Sequence, residues 1–156
     1  MRKLIVNQHI SLDGVIQAPG SKDEDTSNGF NYGGWISSYA DEVSSQLLRK
    51  QMSKDFDLLL GRKTYELWAP HWSAHKDAWP KASKATKYVV SNSITIGKWD
   101  PTVILNGQII EKISKLKKQS GQNLHLWGSS HLLQTLLKLL VEDLSCCFRK
   151  REAVIC

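Results

Sequence analysis

Cysteine is nearly missing from most of this 156-residue chain, since Cys146, Cys147 and Cys156 all lie in the last eleven residues. A disulfide framework that spans the fold is therefore excluded, and a reducing, cytoplasmic setting is the expectation. The length suits one domain that buries its own core without covalent support.

Long hydrophobic runs are missing as well. The richest apolar stretch, residues 132–141, is short and is interrupted by Gln134, Thr135 and Lys138, so we expect no membrane partner. The apolar run that follows the basic start of the chain ends at Asn7, which is too early for the core of a signal peptide.

A concentrated patch of positive charge is also lacking, although the formal net charge is +6. The lysines and arginines are scattered and are not interleaved with stacking aromatic residues, so we expect no nucleic-acid partner. An anionic small molecule accounts for the excess equally well.

Segments with strand and helix character alternate along the chain. We expect strands over Lys3–Ile10, Asp55–Leu60, Lys87–Ser91, Thr102–Leu105 and Asn123–Trp127, and helices over Ser38–Lys54, after Gly61, over Ile109–Lys118 and over Ser130–Leu140. This alternation predicts a three-layer α/β/α fold with a mainly parallel sheet. Residues 17–34, rich in Gly, Ser, Asp, Asn and Pro, predict a long mobile loop.

Two strand-to-helix turns carry the strongest functional signal. In residues 57–66 and 124–132, an apolar run stops at a glycine, Gly61 or Gly128, and hydroxyl or basic residues then open a helix. The first N–H groups of a helix have no backbone partner and attract anions. Two such turns indicate a ligand with several phosphates.

Four sequence pieces occur in the order of a known family: Ser11-Leu12-Asp13-Gly14, Leu60-Gly61-Arg62-Lys63-Thr64-Tyr65-Glu66, Val89-Val90-Ser91-Asn92 and Trp127-Gly128-Ser129-Ser130. Over roughly residues 2–144, the chain resembles the dihydrofolate reductase-like fold. The resemblance is strongest to bacterial proteins similar to the reductase domain of the riboflavin-biosynthesis deaminase/reductase.

The resemblance implies NADPH bound across the carboxyl ends of the strands. Gly61, Arg62, Lys63 and Thr64 would face the adenosine phosphates, with Arg62 or Lys63 near the 2′-phosphate. Ser91 and Asn92 would flank the adenine and ribose. Gly128, Ser129 and Ser130 would hold the diphosphate through backbone N–H groups, although relatives often carry a second glycine at the position of Ser129.

Proton donation to the substrate points to two acids. Asp13 is the first candidate because its loop lies beside the nicotinamide in relatives, and Glu42, early in a predicted helix, is the second. Asp13 with Gly14 also fits a simple turn, and Glu42 also fits the favoured place of an acid at a helix start. The spacing from Asp41 or Glu42 to Gly61 does not match dihydrofolate reductases, so we expect another pyrimidine-like or heterocyclic substrate.

Four tryptophans could wall a flat substrate, although core packing is the commoner role of this residue: Trp35, Trp68, Trp72 and Trp79. His71 and His75 have the spacing of a metal pair, but no third ligand accompanies them and no regular helix is expected there, so we expect no metal.

The resemblance also sets expectations for assembly and for the end of the chain. Relatives commonly pair as homodimers, and we expect one here. Residues 1–144 form the expected reductase domain, whereas residues 145–156 depart from the family pattern and suggest a truncated or frame-shifted tail with incomplete antiparallel strands. An NADP(H)-binding protein without turnover is therefore the alternative to an active reductase.

Overall fold

The computed structural model describes residues 1–139. The backbone divides into two compact units. Among the described residues, the first, or sheet unit, comprises Met1–Asn7 and everything from Asp55 onward, and the second unit is Gln8–Lys54. The expected boundary at residue 144 and the expected tail lie outside the described residues.

The sheet unit is built on five strands in the order β1-β5-β2-β3-β4. Their bounds are β1 Leu4–Asn7, β2 Phe56–Gly61, β3 Lys87–Val90, β4 Thr102–Leu105 and β5 Asn123–Trp127. Every neighbouring pair is parallel, which confirms the expected sheet. The almost continuous apolar run of β2 is typical of a strand buried on both faces.

Helices cover both faces of the sheet. They are α2 Arg62–Ala74, α3 Pro80–Lys84, α4 Ile109–Lys118 and α5 Ser130–Leu139. Leu59 and Leu126 belong to an aliphatic core with Ile113 of α4 and Leu136 of α5. Side chains alternate along a strand, so the neighbours of these leucines turn to the other face. There Trp127 lies 6.1 Å from Trp68 of α2, between ring centroids, and the three-layer prediction is confirmed.

The prediction for the end of α2 is wrong, whereas the bounds predicted for α4 are confirmed. Helix α2 continues through Pro70 to Ala74, so His71 lies within a regular helix and His75 is its C-cap. Helix α4 ends at Lys118. Gly121 has φ +150°, and an added Cβ would lie 3.2 Å from Cζ of Arg2, so this glycine makes room for the buried arginine.

The second unit holds the predicted loop and one α-helix, α1 Glu42–Gln51. The loop closes on itself, because the Gly34 N–H donates to the Ala18 carbonyl at 2.8 Å and the Trp35 indole donates to the Gln17 carbonyl at 2.9 Å. Helix α1 begins later than predicted, since Asp41 and not Ser38 is its N-cap. Asp41 Oδ1 accepts the Ser44 N–H at 2.7 Å, and Ser44 completes a capping box.

Candidate functional site

The two glycine turns lie side by side at the carboxyl edge of the sheet. Strand β2 ends at Gly61 and strand β5 ends at Trp127, and the two strands are direct parallel neighbours, with Leu59 opposite Leu126. The turns that follow them therefore open at the same edge. Ligands of parallel sheets usually bind there.

One hydroxyl joins the two turns. Ser129 Oγ accepts the Gly61 N–H at 2.8 Å and donates to Thr64 Oγ1 at 2.9 Å. The Trp127 carbonyl is a second acceptor for the same hydroxyl at 3.2 Å. The residues predicted from two separate motifs thus form one hydrogen-bonded cluster.

At both Gly61 and Gly128, a neighbouring side chain lies close to the backbone and leaves little space for a Cβ. An added Cβ at Gly61 would lie 3.1 Å from Ser129 Cβ, and one at Gly128 would lie 3.3 Å from Thr64 Oγ1. Gly128 also has φ +52°, a left-handed conformation that glycine adopts without strain. Ser129 has φ +57°, which costs a residue with a Cβ about 1 kcal/mol.

The start of α2 offers unsatisfied donors and positive charge. Gly61 is its N-cap and provides no side-chain hydrogen bond, and the first turn contains no acidic residue. The amides of this turn are therefore open to an anion. Arg62 and Lys63 are exposed, and Arg62 forms a surface ion pair with Glu66 at 2.7 Å. This donor set fits the phosphates of NADPH.

The turn after β3 uses its polar side chains internally. Ser91 Oγ accepts the N–H groups of Ser93 at 3.1 Å and Ile94 at 2.9 Å. Asn92 Oδ1 accepts the Gly107 N–H at 3.3 Å, which connects the turns after β3 and β4. Both residues shape the edge beside β2, and the Ser91 N–H is paired with the Leu105 carbonyl at 3.0 Å.

The two candidate acids belong to the second unit, and both are exposed. Asp13 Oδ1 accepts the Ser11 hydroxyl at 2.5 Å, and this hydrogen bond lowers the pKa of Asp13. A lowered pKa favours the carboxylate over the proton-donating acid. Glu42 forms an ion pair with Arg49 at 2.6 Å, in the first turn of α1.

A cluster of aromatic rings covers the α2 face of the sheet next to the Gly128 turn. Trp79 is buried and lies 5.0 Å from Trp72 and 5.7 Å from Trp68, between centroids, whereas Trp68 and Trp72 are half-buried. Trp127 was not among the tryptophans predicted to wall a substrate, although its place directly before Gly128 was the available signal. Trp79 packs in the core, whereas Trp68 and Trp72 are only partly covered.

Residues 1–139 contain no helix long and apolar enough to cross a bilayer. Within the same residues, no three His, Cys, Asp or Glu side chains are grouped so that they could hold a metal ion.

A five-stranded parallel sheet with helices on both faces and two glycine turns at its carboxyl edge places the chain among the α/β proteins. The chain belongs to the RibD C-terminal domain family, whose model matches residues 2–147. It is similar to the uncharacterized protein YyaP of Bacillus subtilis (strain 168), with 24% identity over 151 residues, 91% of this chain and 71% of that protein. The family comprises reductase domains that generally bind NADPH.

Proposed function

We propose that this protein is an NADPH-dependent reductase that transfers hydride to a pyrimidine- or pterin-like heterocycle. The observation that supports the proposal best is the junction of the Gly61 and Gly128 turns through Ser129 Oγ, at 2.8 Å from the Gly61 amide. Two anion-binding turns fused at one sheet edge suit a dinucleotide with a diphosphate.

Different residues of the site bind different parts of NADPH. The amides at the start of α2 and those of Ser129 and Ser130 bind phosphate oxygens, where the positive end of each helix dipole favours negative charge. The Gly128 N–H donates to the Asn7 carbonyl at 3.4 Å, so Gly128 contributes close approach of the backbone to the diphosphate. Arg62, with Lys63 beside it, binds the 2′-phosphate, and Asn92 borders the ribose. NADPH supplies the hydride, and the protein supplies orientation and the exclusion of water.

A thermal-shift titration tests cofactor binding. A ligand that binds only the folded state stabilises it by about 2.7 kcal/mol at one hundred times its Kd, so NADPH should raise the Tm by several degrees and NADH by less. The absence of a shift at millimolar NADPH, in protein shown by circular dichroism to be folded, would contradict the proposal.

Turnover needs a separate measurement, because binding alone does not establish it. NADPH oxidation followed at 340 nm against pterins and aminouracils, the latter as in riboflavin biosynthesis, should identify a substrate. Asp13→Asn should lower kcat if Asp13 handles the proton, whereas an unchanged kcat would remove Asp13 from the mechanism.

A second candidate function is an NADP(H)-binding protein without turnover. It is favoured by the state of the two acids, since the hydrogen bond from Ser11 lowers the pKa of Asp13 and Glu42 is engaged by Arg49. An NADPH-dependent Tm shift without oxidation by any heterocycle of the panel would support this candidate over the first.

The family resemblance also supports a homodimer as part of the proposal. Sedimentation velocity at two protein concentrations should give twice the chain mass of 17.6 kDa. A monomer at both concentrations would remove this part of the proposal and leave the cofactor assignment standing.

A further inference from the structure

We propose that Ser129 is a positioning residue that orients the Thr64 hydroxyl toward the diphosphate of the bound dinucleotide. The inference rests on the proposed function and adds a role that Ser129 plays through another side chain. Its basis is a chain of two hydrogen bonds that joins three groups, from the Gly61 N–H to Ser129 Oγ and from the Ser129 hydroxyl to Thr64 Oγ1, which we term the hydroxyl relay.

The direction of the hydroxyl relay follows from counting hydrogens. The Gly61 amide can only donate, so it occupies a lone pair of Ser129 Oγ. Ser129 has one hydroxyl hydrogen, and Thr64 Oγ1 at 2.9 Å is a closer acceptor for it than the Trp127 carbonyl at 3.2 Å. Thr64 Oγ1 is therefore an acceptor inside the relay.

In this arrangement the hydrogen of the Thr64 hydroxyl has no acceptor among the described residues. Within residues 1–139, the Thr64 hydroxyl donates to no acceptor, and its side chain is half-buried, so it can reach a ligand. Thr64 lies in the first turn of α2, whose amides lack a side-chain cap. A phosphate oxygen held by those amides is the acceptor that completes the relay.

Cooperativity makes the relay more than a passive support. Each hydrogen bond in a chain polarises the next, so the Gly61 amide and Ser129 make the Thr64 hydroxyl a stronger donor to a charged oxygen. The backbone is strained where Ser129 makes its hydrogen bonds, since Ser129 has φ +57°. Gly61 has no side chain that would block the approach of Ser129.

A double-mutant cycle tests the relay directly. NADPH Kd is measured by calorimetry for the wild type, Thr64→Val, Ser129→Ala and the double variant. Loss of a hydrogen bond to a charged group predicts a rise in Kd of about tenfold for Thr64→Val and a somewhat smaller rise for Ser129→Ala. The double variant should lose no more than Thr64→Val alone, because both changes break the same chain.

Two further measurements separate positioning from a structural role. Ser129→Gly removes the hydroxyl but relieves the backbone strain, so it should raise Kd as much as Ser129→Ala does. Reduced nicotinamide mononucleotide, which has no diphosphate, should bind all variants alike. Thr135→Val, which removes a hydroxyl bonded to the His131 carbonyl on α5, is the matched control and should leave NADPH Kd unchanged.

Each possible outcome decides between the relay and its alternatives. The relay is overturned if the increases in NADPH Kd for Ser129→Ala and Thr64→Val multiply in the double variant. It is also overturned if the NADPH Kd of Ser129→Ala lies within about twofold of the wild-type value. In both cases the wild type still binds NADPH and the proposed function stands. A wild type that does not bind NADPH would overturn the proposed function and the relay together.

Discussion

Arg62 Nη1 lies 2.7 Å from Glu66 Oε2, one turn further along α2. Both side chains are nearly half exposed, at 45% and 49%. An exposed ion pair of this kind contributes about 0–1 kcal/mol, so Arg62 can leave Glu66 for a phosphate at little cost. The ion pair keeps the Arg62 guanidinium near the start of α2 and leaves it available to bind a phosphate.

Arg62→Ala should weaken NADPH binding about tenfold and NADH binding far less, because only NADPH carries the 2′-phosphate that a guanidinium binds through charge-assisted hydrogen bonds. Titration by protein fluorescence quenching measures both constants. Lys115→Ala is the matched control, since Lys115 forms an exposed pair with Glu111 on α4, and it should change neither constant. Equal losses of both cofactors would contradict the assignment of Arg62.

Gly128→Ala should lower the free energy of unfolding by about 1 kcal/mol, because alanine is strained at positive φ, and should also weaken NADPH binding. Gly107→Ala provides the comparison, since Gly107 has φ +70° but no atom within 4 Å of an added Cβ. Urea unfolding should give a loss for Gly128→Ala at least as large as that for Gly107→Ala, because the added Cβ also meets Thr64 Oγ1 at 3.3 Å, and only Gly128→Ala should change NADPH Kd. An unaffected Kd would exclude a close approach of the cofactor at Gly128.

Tyr65→Phe should destabilise the sheet unit by about 1–3 kcal/mol, the cost of leaving buried polar groups unsatisfied. The Tyr65 hydroxyl accepts the N–H groups of Lys98 at 2.7 Å and Trp99 at 3.0 Å, and Tyr65 is only 2% exposed. Tyr39→Phe is the control, at a residue 75% exposed, and should change stability by less than about 0.5 kcal/mol. Equal midpoints in urea would argue against the hydrogen bonds of Tyr65.

Lys87 should make stability depend on pH in the alkaline range. Its Nζ is buried against the Trp99 ring, 4.4 Å from the centroid, and burial lowers the pKa of Lys87 from 10.5 to about 8. Between these two pKa values the unfolded chain binds more protons than the folded one, so the free energy of unfolding rises with pH in this range. Below pH 8 both states are protonated at Lys87, and this gain in the free energy of unfolding is absent.

The comparison with Lys87→Met isolates this contribution from other titrating groups. Relative to the variant, the wild type should gain roughly 1–3 kcal/mol between pH 8 and pH 10.5, measured by urea unfolding at each pH. A difference between the two proteins that stays constant with pH would contradict the lowered pKa.

Strong local patterns were sufficient for much of the sheet unit. The bounds of β4 and β5 were predicted to the residue, and α4 was predicted at Ile109–Lys118, because buried apolar runs and an amphipathic helix repeat leave a clear period. Helix α1 was predicted from Ser38, whereas Asp41 is its N-cap. The capping box between Asp41 and Ser44 depends on a backbone geometry that the residue types alone do not specify.

The candidate site, too, was determined partly by the sequence and partly by the tertiary structure. The sequence alone determined which residues form the two glycine turns, since in each of them an apolar strand stops at a glycine and hydroxyl or basic residues open a helix. It could not place the turns in contact, because Gly61 and Ser129 are far apart in sequence. Only the tertiary structure decided this, through the pairing of β2 with β5 and the space that a missing Cβ leaves at Gly61.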